Sequence, residues 1–275
     1  MNSSPFPSID ATRLFSDYLR VTGVAHLGLE PAGEPGLLGK RLGLLNGSSW
    51  ITLWSNYFGR FYLPGVHLVN VGNEAIQLNF MDSHQKGLPC PPQANIEVFT
   101  RYARDLVELA QVDLVLITCS TMNRAYAQVE NALRPFDVPV VQIDQPMMER
   151  AVAQEGTILV MATHGPTVNN TQALLRETAA RSGKDVAFTG ATVEQAWECL
   201  AAGDVRSHNQ VIAESIHNHL RQEEVGCVVL AQLSMACLLF SYPDPIAEFG
   251  IPIYTSAQCG FEKVRELLMA RSAGR

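Results

Sequence analysis

The chain matches itself. Asp113–Met122 (DLVLITCSTM) and Gly226–Met235 (GCVVLAQLSM) are each an apolar run ending in a small polar turn and then Met, 113 positions apart. Val138–Asp144 (VPVVQID) and Ile251–Ala257 (IPIYTSA) obey the same displacement, and Gln145 then falls on Gln258. Two gap-free matches at one displacement leave little freedom: the chain must build one strand-and-helix unit twice. A weaker echo pairs Arg41–Ser49 with Thr157–Gly165, each a strand run entering a Gly/Ser/Thr turn. Two similar lobes, related by a pseudo-twofold axis, are the expected outcome.

The runs between these landmarks give the class of each lobe. Strands are expected at Arg41–Leu45, Val66–Val71, Asp113–Thr118, Val138–Ile143, Thr157–Ala162, Asp185–Thr189, Gly226–Ala231 and Ile251–Thr255. Their near-continuous apolar character suits parallel strands covered on both faces. Amphipathic helices are expected between them, at Ile96–Gln111, Asn170–Arg181, Val193–Ala202 and Ser207–Gln222, with Phe261–Arg271 closing the chain. In the first of these Val98, Ala103, Leu106, Val107 and Leu109 form the apolar face. Such alternation is the pattern of an α/β fold, here two lobes, each a mostly parallel sheet flanked by helices. The expected division is an arm and linker over 1–40, lobe 1 over 41–144, lobe 2 over 145–257 and a C-terminal helix over 258–275 that packs back on lobe 1. Ligands of such sheets bind beyond the carboxyl ends of the strands. Asn46–Ser49, Cys119–Thr121, Thr163–Gly165 and Gln232–Ser234 are therefore expected to converge on an interlobe cleft.

Composition narrows the partners. The formal net charge is −7 and no stretch concentrates Lys and Arg, which argues against nucleic acid or an anionic membrane surface. The N-terminus lacks the basic and apolar regions of a secretory signal, and runs such as VDLVLI are too short to span a bilayer, so a cytoplasmic location is expected. None of the six cysteines forms a CxxC, and in that compartment thiols stay reduced. Cys90, Cys199 and Cys227 read as ordinary small hydrophobes.

LITCSTMN (Leu116–Asn123), after a helix and strand, resembles the first cysteine motif of the aspartate/glutamate/hydantoin racemase superfamily. MATHGPT (Met161–Thr167) is similar to that family's strand opening the second half, and LAQLSM (Leu230–Met235) sits where its second cysteine motif belongs. The resemblance covers roughly residues 41–272 in order and spacing. It implies a two-lobed fold, no cofactor, no metal, and a small carboxylate substrate. It also implies two thiols facing each other across the substrate α-carbon, one taking a proton and the other giving one to the opposite face. Cys119 is then the catalytic acid/base, its pKa lowered from about 8.5 by the helix expected at Thr121–Leu133. Ser48, Ser49, Ser120, Thr121, Thr163 and Ser234 supply the substrate cradle and stabilise a developing enolate.

The chain departs from this pattern at one place. The repeat carries Cys119 onto Gln232, which is neither acid nor base near neutral pH and reads either as a hydrogen-bond donor to the substrate or as space filling. Three readings follow. In a racemase or epimerase, another group supplies the second proton, with Cys259, His164 and Cys237 as candidates. In a lyase of the arylmalonate-decarboxylase type, loss of CO₂ gives an enolate that one cysteine protonates on one face. In the third, the fold is kept as a non-catalytic binder of a small carboxylate.

Other features read as structure. His217 and His219 are two apart on a helix and face different ways, so they do not make a zinc pair. GLLGKR (Gly36–Arg41) lacks phosphate-loop spacing. Asp82, His84 and Gln85 fall in a polar, Pro-rich loop expected over Asp82–Gln93. Trp50, Trp54, Tyr57 and Phe58 recur at helical spacing and read as core or subunit interface; with the N-terminal arm they are candidates for contacts in a homo-oligomer.

Overall fold

A computed structural model describes residues 9–22 and 33–273 of the chain. Helix α1 (Ala11–Thr22) precedes the repeated body. The first half then runs β1 (Arg41–Asn46), α2 (Thr52–Tyr62), β2 (His67–Gly72), α3 (Glu74–Gln85), α4 (Gln93–Glu108), β3 (Leu114–Ile117), α5 (Tyr126–Leu133) and β4 (Val140–Gln142). After α6 (Gln145–Val152) the second half runs β5 (Thr157–Ala162), α7 (Gly165–Arg181), β6 (Phe188–Thr192), α8 (Glu194–Ala201), α9 (Val205–Gln222), β7 (Val225–Leu230), α10 (Leu238–Ser241), α11 (Pro245–Phe249) and β8 (Ile253–Thr255), and α12 (Ser256–Ala273) ends it. The strands form two four-stranded sheets, ordered β2-β1-β3-β4 and β6-β5-β7-β8. All pairings are parallel, and the two orders are the same order written twice.

Why the inner strands are so largely apolar is visible in which core each residue enters. Side chains of a strand alternate between its two faces. Leu42, Leu44, Leu114 and Leu116 enter one core of the first sheet; Leu45, Val115 and Ile117 enter the other. In the second sheet Ile158, Val160 and Val229 go one way and Leu159, Met161, Val228 and Leu230 the other. In these inner strands no face is left for water and no polar alternation develops, whereas the edge strands β2 and β6 stay partly open.

The halves are tied by exchanged helices. α6 follows the last strand of the first sheet, yet Met147, Met148, Ala151 and Val152 sit in a core of the second. α12 follows the last strand of the second sheet, yet Phe261, Val264 and Leu268 complete a core of the first. Each of the larger of these buried side chains contributes about 1.5–3 kcal/mol. Gly260 permits the approach of α12: a Cβ there would stand 2.9 Å from the Ile143 carbonyl oxygen. The two short turns after β3 and β7 are exchanged as well. The 3₁₀ turn Ser120–Ala125 packs on α7, and the turn Leu233–Cys237 packs on α2 and α12.

Four expectations need correction. Asp82, His84 and Gln85 lie in the last turn of α3, whose buried stripe of Ile76, Phe80 and Ser83 is too short to announce a helix over a polar sequence. β6 begins at Phe188 rather than Asp185, because this half-open edge strand takes its register from Ile158 pairing with Phe188. Helix α4 starts at Gln93 and stops at Glu108, which leaves Leu109 82% exposed rather than on the apolar face. The expected helix Thr121–Leu133 is α-helical only from Tyr126. Part of the expected 1–40 arm and linker lies outside the described residues, including Pro31 and Ala32 of the PAGEPG run. Among the described residues, no helix is long and apolar enough to cross a membrane.

Candidate active site

Cys119 ends β3 in extended backbone (φ −104°, ψ 109°) and begins the 3₁₀ turn, its carbonyl accepting from the Met122 N–H at 3.0 Å. Its Sγ lies 3.1 Å from the Thr121 hydroxyl. On the other side it rests on Gly47, where a Cβ would overlap the sulfur. The residue is deeply set but keeps part of its surface open. Burial pushes the thiol above its ordinary pKa, and the Thr121 hydroxyl and the N–H groups of Met122 and Thr121 only partly offset this. The expected lowering by a helix N-terminus is not what the geometry delivers: a short 3₁₀ turn stands where a full helix was expected.

The turn that bears Cys119 rests on a buried acid that carries no motif. Asp144, fully buried beyond the end of β4, accepts from the Asn123 side-chain amide at 2.8 Å. Burial raises its pKa to about 6, against the lowering effect of Asn123 and Ser120. Its charge also raises the Cys119 pKa. Oδ1 of Asp144 and Oδ1 of Asn123 are both buried without a partner.

The loop carrying Gly47 and Ser48 is fixed from below by amides and hydroxyls. Asn46 Oδ1 accepts from Ser55 and Thr118, both at 2.7 Å, and its Nδ2 donates to Asn70 at 3.0 Å. Asn70 donates onward to Asn56 at 2.9 Å. A satisfied buried network of this kind holds one geometry. Ser48 is buried, while Ser49 is exposed and gives both its hydroxyl and its N–H to the Glu74 carboxylate. That carboxylate, with its pKa held low by Ser49, occupies the donors expected to cradle an anion.

The second half places Gln232 where the repeat puts the mate of Cys119, at the end of β7 in extended backbone. Its Oε1 accepts from the Thr163 N–H at 2.6 Å and the Thr163 hydroxyl at 2.9 Å. Thr163 is fully buried, so both its donors serve Gln232. His164 follows, capping α7, half-buried, with its pKa lowered by desolvation. Its ring stands edge-on to Trp197 at 5.2 Å, and Trp197 meets Trp50 of the first half at 5.7 Å. Trp54 donates to the Cys237 sulfur at 3.2 Å. Contacts thus run from Cys119 through the Gly47–Trp50 loop to Trp197 and His164. Sequence reading missed Trp197 and Asp144; only three-dimensional packing brings them to these places.

Of the other candidates, Cys259 is fully buried in a core of the second sheet, with its pKa raised by burial to about 11. Cys237 is buried with its pKa raised to about 11. Both are enclosed by the core, whereas Cys119 is partly open. Ser234 is 2% exposed, whereas Ser120 and Thr121 are partly open beside Cys119.

The sequence profile described as Asp/Glu/Hydantoin racemase matches residues 92–264. No curated protein matches the chain in sequence. Among solved structures, an aspartate racemase homologue from Pyrococcus horikoshii OT3 is similar at 15% identity and a TM-score of 0.60, covering 83% of this chain and 99% of that one. Allantoin racemase from Klebsiella pneumoniae is similar at 16% identity and a TM-score of 0.56, with 85% and 89% covered. An unliganded arylmalonate decarboxylase is similar at 14% identity and a TM-score of 0.54, with 83% and 92% covered. These likenesses concern the fold.

Proposed function

The chain belongs to the Asp/Glu/hydantoin racemase family, and from that membership we propose that it is a cofactor-independent isomerase, a racemase or epimerase acting at the carbon α to a carboxylate. The site lies between the lobes 41–144 and 145–257, and Cys119 is the acid/base on one face of the substrate. The observation that carries this reading is the thiol itself: it ends a strand, stays partly open, and is held between Gly47 and the Thr121 hydroxyl. His164 serves the other face. With the thiol pKa raised and the imidazole pKa lowered, the pair rests uncharged at neutral pH. His164 then accepts the α-proton, and the electron pair moves into the carboxyl group as an enolate. The Cys119 thiol protonates the opposite face, leaving thiolate and imidazolium, which run the reverse reaction or exchange protons with water. Chemistry that depends on a free thiol fits a reducing, cytoplasmic compartment.

Incubation with small 2-substituted carboxylates, aspartate and glutamate first, in D₂O tests this. Exchange of the α-proton with net inversion is expected. A Cys119→Ala variant that keeps full exchange rejects the role of the thiol.

A second reading is favoured by one observation, the engagement of Gln232 with Thr163, which puts an amide in the place of a second thiol. In that case the enzyme is a one-sided lyase of the arylmalonate-decarboxylase type. Its substituted malonate loses CO₂, and Cys119 protonates the enolate on one face. CO₂ release with product enriched in one enantiomer distinguishes it.

A further inference from the structure

We infer that Gln232 is a fixed hydrogen-bond donor to the substrate's carboxylate oxygen, an anion-holding group standing where the fold's symmetry would put a second thiol. This deepens the reading of the site as one that takes a small carboxylate, and rests on it.

The orientation of the amide follows from chemistry. A backbone N–H can only donate, so the side-chain atom 2.6 Å from the Thr163 nitrogen must be the oxygen. The Thr163 hydroxyl donates to the same oxygen at 2.9 Å. Two donors from a fully buried residue therefore hold Oε1 from behind. The amide cannot turn over without setting its NH₂ group against an N–H. Nε2 is consequently the end of Gln232 that the protein presents. It has no hydrogen-bond partner among the described residues, yet it is not sealed among the buried polar atoms that lack one. It is an open donor on a half-buried side chain.

Place and surroundings decide what this donor meets. Gln232 ends β7 as Cys119 ends β3, each the third strand of its half and each at the start of a 3₁₀ turn. Each turn packs on the other half: that after Cys119 on α7, which begins beside Thr163, and that after Gln232 on α2, which follows the Gly47–Trp50 loop. The exchange brings both strand ends to the junction of the halves. An amide N–H there suits an anion: it is always a donor, carries no charge to be neutralised, and is already oriented, so little is lost on binding. Thr163 is then a positioning residue, acting through Gln232 rather than on the ligand.

The full chain, titrated calorimetrically with malonate, phenylmalonate and L-aspartate, tests this. Gln232→Met keeps the length and removes the donor; affinity should fall about ten- to a hundredfold for the carboxylate that binds best. Gln232→Glu keeps an acceptor for Thr163, and so protects the fold if the methionine variant is unstable, while turning the donor into an anion. Its binding should be weak at pH 8 and recover as the pH falls and the new carboxyl takes up a proton, a pH dependence steeper than that of the wild type titrated alongside it. Packing alone would not produce that recovery. Affinity unchanged in Gln232→Met, or in Gln232→Glu at pH 8, overturns the assignment while leaving the carboxylate site intact. A wild-type protein that binds none of the three overturns the carboxylate reading itself, and the assignment with it.

Discussion

Gly47 and Cys119 are in direct contact, and the sulfur takes the space a Cβ at position 47 would need. The backbone of Gly47 has no positive φ, so alanine is acceptable there in conformation and is excluded by the Cys119 side chain, the sulfur above all. Gly47→Ala should therefore displace Cys119, slow its alkylation by iodoacetamide, and lower stability by about 1–3 kcal/mol through overpacking. In the double variant Gly47→Ala/Cys119→Gly the stability loss should shrink, since the methyl then fills the space vacated by the sulfur. Denaturant melts of the four proteins of the cycle measure that coupling. Additive losses would show that the two residues do not compete for the same space.

Asp144 gives the fold a pH dependence of definite sign. Its folded pKa of about 6 lies above the ordinary carboxylate value, so the folded protein binds the extra proton. The stability this contributes is complete below about pH 4 and is lost as pH rises through about 6, a change of about 3 kcal/mol. Asp144→Asn keeps an oxygen for the Asn123 amide and should flatten the stability profile between pH 4 and 7. The same variant removes a negative charge that disfavours the Cys119 thiolate. Its alkylation profile should shift to lower pH. A variant with the wild-type slope between pH 4 and 7 would locate the titration elsewhere.

Much of this fold was legible because burial on both faces writes itself as apolar runs. Leu42, Val115, Val160 and Val229 all lie in strands where such runs were expected. The repeat also carried the pseudo-symmetry, since Cys119 and Gln232 do end equivalent strands. Elements held by short stripes were harder to see: α3 buries only Ile76, Phe80 and Ser83 against many polar neighbours. The site divides in the same way. Cys119 stands in a motif, whereas Asp144, Gly47 and Trp197 matter through contacts between segments distant in the chain. A single sequence records such contacts nowhere. The helix expected to activate the thiol failed for a related reason: spacing does not distinguish an α-helical first turn from the 3₁₀ turn Ser120–Ala125.

The Thr121 hydroxyl, 3.1 Å from the sulfur, is the main influence opposing burial at the Cys119 thiol. Removing that hydroxyl while keeping the shape, in Thr121→Val, should raise the thiol pKa further. The pH profile of iodoacetamide alkylation should move to higher pH and the rate at pH 7.5 should fall severalfold, with far-UV circular dichroism unchanged. Thr121→Ser, which restores the hydroxyl, should return most of the profile. A valine variant that titrates like the wild type would show that the thiol does not draw on this hydrogen bond.

Trp197 joins the halves and shields His164, and the two roles can be read in one experiment. Its ring touches Trp50 from the first half and His164 from its own. Desolvation is the main cause that lowers the His164 pKa, with Glu194 working against it. Trp197→Ala should therefore rehydrate the imidazole and raise its pKa toward the ordinary histidine value near 6.5, seen as a move of the NMR titration midpoint to higher pH. If His164 is the second acid/base, the acidic limb of the exchange rate should move upward by the same amount, because the neutral imidazole is the form that accepts the proton. Trp197→Phe keeps an aromatic wall and should leave both midpoints close to the wild-type values. A His164 midpoint that rises while the acidic limb stays fixed would assign the limb to another group and remove His164 from the proton path.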